Sequence, residues 1–137
     1  MNKTKRTGSF LATVAVSLAL MATPLAAHHS FTAEYDASKL VTMKGTVIRL
    51  DWANPHARIY MSVTDEHGAT ANWAFEMGSP NVLARHGWNR NSLKPGDVIT
   101  VTGYLAKDGS NMANARAVTM ADGTKAFAGS SSPDAPQ

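Results

Sequence analysis

The chain has 137 residues, no cysteine, and a formal charge of +3 from 13 Lys and Arg against 10 Asp and Glu. This length leaves room for one domain, and the absence of thiols excludes a disulfide framework, thiolate metal ligands and a lipidated N-terminal Cys. The charge excludes less than its sum suggests, because Lys3, Lys5 and Arg6 carry the whole excess.

Residues 1–27 read as a secretory signal peptide. Lys3, Lys5 and Arg6 form a positive start, and Phe10 to Ala22 an apolar run. Pro24-Leu25-Ala26-Ala27 offers small residues at the cut. That run is shorter than the roughly 20 residues a membrane span needs, so no stable membrane insertion is expected after cleavage. An exported chain without Cys fits a bacterial periplasm. Thirteen cations less those three leaves ten against ten acids. Zero net charge removes the main support for a nucleic-acid partner.

The mature part, 28–128, reads as all-β with one small helix, preceded by an extended N-terminal arm over 28–40. Val41 to Trp52 is a strand with Gly45 inside it. Its apolar positions change parity from Val41, Met43 and Val47 to Ile48, Leu50 and Trp52, as a bulged strand bending between two sheets would. Residues 57–64 alternate, with Ile59, Met61 and Val63 on one face and Arg58 and Tyr60 on the other. Asp65 to Gly68 is a hairpin turn, and residues 71–77 alternate again. Ser79 as N-cap, Pro80 at the first position and Gly87 after the end predict a short helix over 81–86. Leu93 to Asp97 carries a Pro-Gly turn, and strands follow over 98–105 and 113–120. Residues 129–137 read as a disordered tail.

The order β-β-β-α-β-β is the plan of an OB-like five-stranded barrel. On it, the loop Ala53 to His56, the segment Glu76 to Pro80 and the loop Lys107 to Asn111 meet at one pole. The hairpin carrying His67 lies at the other.

The runs His28-His29-Ser30-Phe31, Glu34-Tyr35-Asp36, Trp52-Ala53-Asn54-Pro55-His56, Asn72 through Pro80, Gly87-Trp88 and Leu93 through Asp97 resemble an uncharacterised family of exported bacterial proteins. The resemblance implies export and a compact β-fold, and no activity. A weaker likeness is to periplasmic OB-fold proteins, including the haem chaperone of cytochrome c maturation. That chaperone's C-terminal His-x-x-x-Tyr attachment motif is missing here, since no His follows His86.

Cleavage after Ala27 places His28 and His29 at a free amine. Amine and imidazole together can chelate Cu(II) or another divalent metal, with His56 as the candidate second imidazole and Glu34, Asp36 and Glu76 as candidate oxygen ligands. Cleavage after Ala26 would instead make His29 the third residue, the spacing of a square-planar amine–amide–imidazole site. Met43 and Met77 fall in β-alternation and read as core. No nucleophile elbow is present, the local string being Met77-Gly78-Ser79-Pro80-Asn81, so no enzyme is expected.

Two functions follow as expectations. One is a periplasmic copper-binding or carrier protein using the processed His pair. The other is a metal-independent module that binds a small ligand or a protein partner through its loops, with Asn54, Arg58, Tyr60 and Asn111 as contact residues.

Overall fold

A computed structural model describes residues 30–129. The predicted leader, His28, His29 and all of the predicted tail beyond Gly129 lie outside them. Eight elements follow in chain order: α1 (Phe31–Glu34), β1 (Tyr35–Asp51), β2 (Arg58–Thr64), β3 (Thr70–Glu76), α2 (Pro80–Arg85), β4 (Val98–Ala106), β5 (Met112–Thr119) and β6 (Lys125–Phe127).

Five of the strands close into a ring. β1 pairs antiparallel with β2 and with β4, β2 with β3, and β4 with β5; β3 and β5 complete the circuit through a parallel pairing. The long first strand makes this possible. Its first half, to Thr46, pairs with β4, and its second half, from Gly45, with β2. The predicted irregularity is present at Ile48, where the register slips between Val47 and Arg49. The slip returns Leu50 to the side of Val47, while Ile48 stays exposed, and this accounts for the change of parity. Gly45 serves closeness of approach instead, which the Discussion takes up.

The ring interior is filled by Val47, Ile59, Met61, Phe75, Ile99, Val101, Ala113, Ala115 and Val118. Met77 and Leu83 close one end together with Trp88. Met77 is fully buried and Met43 packs against the core, as their alternation implied. α2 begins as its sequence predicts: Ser79 is the N-cap, its Oγ accepts the Val82 N–H at 3.4 Å, and Pro80 opens the helix. Gly87, at φ +87°, ends it.

Two features depart from expectation. Residues 35–40 belong to β1 rather than to a free arm. α1 holds them in place: Phe31 and Tyr35 are buried against Tyr104, with the Phe31 ring edge-on to Tyr104 at 5.5 Å. Their register slips between Tyr35 and Leu40, where Asp36 turns back to hold Ser38.

The second departure is β6, which adds a strand to β5 through Ala117, Val118 and Thr119. Trp88 Nε1 donates to the Phe127 carbonyl at 2.6 Å and so fixes this strand over the ring's end. Trp88→Phe keeps most of the buried ring and removes that bond. It is expected to cost about 1–3 kcal/mol, read by urea unfolding.

Candidate functional site

Two of the three loops predicted to share a pole meet directly, and the third docks on β3 beside them. Ala57 N–H donates to the Gly78 carbonyl at 3.1 Å, and Met77 N–H to the Ala57 carbonyl at 2.8 Å, joining the first loop to the segment entering α2. The Ala74 N–H donates to the Asn111 carbonyl at 3.1 Å, which brings in the third. Asn111 thus contributes its backbone here. The hairpin at His67 lies at the far ends of β2 and β3.

Register then builds the site on the outer face of the ring. Residues paired across neighbouring strands present their side chains on the same face. One row runs Asp51 (β1), Arg58 (β2), Glu76 (β3) and Asn114 (β5). The next row runs Arg49, Tyr60, Ala74 and Met112 on the same strands. Each residue lies in the strand's outward phase, alternating with the core residues Leu50, Ile59, Phe75 and Ala113.

The charges in these rows are paired. Arg49 Nε lies 2.9 Å from Asp51 Oδ1. Arg58 Nη2 lies 3.3 Å from Glu76 Oε2. The Arg49 guanidinium also lies 3.6 Å from the centre of the Tyr60 ring and covers one of its faces.

Glu76 is the buried centre, 8 % exposed. Its other oxygen, Oε1, lies 3.7 Å from His56 Nδ1. That nitrogen is 3.1 Å from the Met77 carbonyl oxygen, which can only accept. His56 therefore carries its proton on Nδ1 and keeps a lone pair on Nε2 when neutral.

Among the described residues, three buried side-chain atoms have no hydrogen-bond partner: Tyr35 Oη, Arg58 Nε and Asn114 Nδ2. Arg58 and Asn114 flank Glu76 in the row. Tyr35 feels the Glu76 charge: burial first, then the carboxylates of Glu76 and Glu34, push its hydroxyl well above the usual range. It stays protonated at any physiological pH, with the Glu76 carboxylate beside it as acceptor.

Two clefts open beside this cluster. One, of about 200 Å³, is lined by Asp51, Asn54, Pro55, His56, Arg58 and Tyr60, together with Ala53. The other, of about 510 Å³, is lined among others by Glu34, Tyr35, Arg58, Lys107, Asp108 and Met112. Arg58 is common to both, so they form one trough with its half-exposed side chain as the divide.

The structure therefore brings His56, Arg58, Tyr60, Asn54 and Glu34 to the trough, with Glu76 buried behind Arg58 and His56. It leaves Asp36 out. Hydrogen bonds from the Ser38 hydroxyl and N–H engage that carboxylate and hold it below its ordinary range. Among the described residues, no three His, Asp or Glu side chains gather as a metal-binding group. No helix there is long and apolar enough to cross a membrane.

Sequence reasoning missed Tyr35, Arg49, Asp51 and Asn114. Asn114 alone left a signal, as a β-disfavoured residue near the start of a predicted strand.

No curated protein and no solved structure matches the chain. A family model matches residues 15–115, most of the length, and the chain belongs to that family of unknown function, DUF6152.

Proposed function

We propose that the chain is an exported, non-enzymatic binding protein that takes a small ligand in the trough around Arg58. The observation that supports this is the concentration of unpaired donors there. A buried donor without a partner costs about 1–3 kcal/mol. Arg58 Nε and Asn114 Nδ2 carry that cost on either side of Glu76, and the buried Tyr35 hydroxyl has only that same carboxylate to turn to. A domain of this size tolerates such losses where binding, rather than folding, sets the requirement. Arg58 holds Glu76 through one 3.3 Å contact and is half-exposed, so it can exchange that partner for a ligand.

The test is native mass spectrometry of the exported protein after incubation with a small-molecule extract of the envelope. Wild type is expected to retain a mass adduct that Arg58→Ala loses. An adduct unaffected by Arg58→Ala, or none in either protein, would overturn the reading.

A second reading is favoured by the His56 geometry. An imidazole whose Nδ1–H is held by a carbonyl presents Nε2 as an oriented metal ligand. With His28, His29 and the processed amine, it would make a Cu(II) site suited to a carrier in the periplasm. Cu(II) affinity is then expected to fall at least tenfold in a His28→Ala, His29→Ala double variant, and to fall also in His56→Ala. It should weaken below about pH 7, where protons compete for the amine and imidazoles. Equal affinity across the three proteins sinks this reading.

A further inference from the structure

We propose that the trough ligand is a neutral oligosaccharide. This rests on the binding-module reading above and specifies its chemistry.

The first argument is charge. The four ionised groups of the two rows cancel, Arg49 against Asp51 and Arg58 against Glu76. A site that selects an anion or a cation leaves an excess of the opposite sign, and these rows leave none. Yet the pairs do not exhaust their groups. A guanidinium has five N–H donors and a carboxylate about four acceptor positions. Each pair here shows a single short contact, Nε to Oδ1 in one and Nη2 to Oε2 in the other. What remains is a set of fixed, planar donors and acceptors side by side. A hydroxyl is donor and acceptor at once, and adjacent ring hydroxyls present both together. Neutral polyols are the ligands that such a surface suits.

The second argument is the platform. Tyr60 lines the smaller cleft. Arg49 covers one face of its ring and holds it in orientation. Its cross-strand neighbour on β3 is Ala74, which is too small to cover the ring. An amphipathic aromatic ring beside polar groups offers an apolar patch to the C–H face of a sugar ring.

The third is extent. Glu76 and Asn114 are buried, so the reach of the site is set by the clefts rather than by the row. The clefts continue on both sides of Arg58. That is a groove for several linked rings.

Maltopentaose and chitopentaose serve as neutral probes, with sialyllactose and an oligogalacturonate as anionic ones, titrated calorimetrically into the mature protein. Saturable binding of a neutral probe is expected, changing less than twofold between 50 and 500 mM NaCl. Tyr60→Leu is expected to weaken it at least tenfold and Asp51→Asn several-fold. Both positions lie on the outer face, so folding should survive, as circular dichroism would check. His67→Ala, at the far pole, should leave affinity unchanged.

Binding confined to the anionic probes, or falling steeply with salt, overturns the proposal. So does failure of a wider array of neutral glycans. If the array fails while the envelope extract still gives an adduct lost in Arg58→Ala, the saccharide assignment falls and the binding-module reading stands. If both fail, both fall.

Discussion

Phe75→Ala is expected to lower the unfolding free energy by about 3–5 kcal/mol, with an unchanged denaturant slope. Phe75 is completely buried and is the largest side chain to be so among the described residues. It lies on β3 between Ile59 of β2 and Ala113 of β5. Its ring therefore fills the interior where the parallel β3–β5 pairing closes the circuit. Ala113 is small and cannot expand into the space, so a cavity would persist. Domains of this size have about 5–15 kcal/mol in total, and the variant should melt far earlier or fail to accumulate. Urea titration checks the size of the loss. A change below about 1 kcal/mol would mean that the ring interior collapses around the gap.

Gly45→Ala is expected to cost about 2–3 kcal/mol, from overpacking rather than from backbone strain. Gly45 is the residue that pairs with both Val63 of β2 and Ile99 of β4. A Cβ there would overlap the Ser62 carbonyl oxygen and lie 2.6 Å from Met61 Cε. The methionine tip can move, but the carbonyl is backbone within β2 and cannot yield without disturbing the β1–β2 ladder. Gly68 gives the contrast. It has φ +82° with nothing within 4 Å of an added Cβ. Gly68→Ala is therefore a conformational cost alone, about 1–2 kcal/mol. Measured side by side, the two variants separate crowding from backbone preference, and Gly45→Ala should be the worse.

β2 and β3 were legible because each has one buried face. Ile59, Met61 and Val63 alternate with polar residues, and Ala71, Trp73 and Phe75 with Asn72, the small Ala74 and Glu76. α2 was legible from Ser79, Pro80 and Gly87, whose roles are local. β6 was not. Three residues carry no period, and that strand exists because the Trp88 indole and the Arg116 carbonyl hold it from elsewhere in the chain. Nor was the start of β1, where Phe31 and Tyr35 look like loop residues until Tyr104 is brought beneath them.

The candidate site divides in the same way. His56 and Glu76 were legible as polar residues of the predicted pole, and Arg58 and Tyr60 as the polar face of the second strand. Arg49, Asp51 and Asn114 were not, since nothing within β1 or β5 says what faces them. Glu76 meets Asn114 only because β3 and β5 pair in parallel, 38 residues apart in sequence. His28 and His29 remain a statement of sequence chemistry alone.

By itself, then, the sequence determined the types of the main elements, their turns, the balance of acids and bases beyond residue 27 and the residues available to a ligand or metal. Alternation, caps and turn chemistry are short-range, and a single strand or helix carries them whole. Only the tertiary structure decided the register. Register depends on which strands meet and with what offset, and a shift of one residue would turn every outward side chain into the core. In this chain, that offset sets Asp51, Arg58, Glu76 and Asn114 in one line.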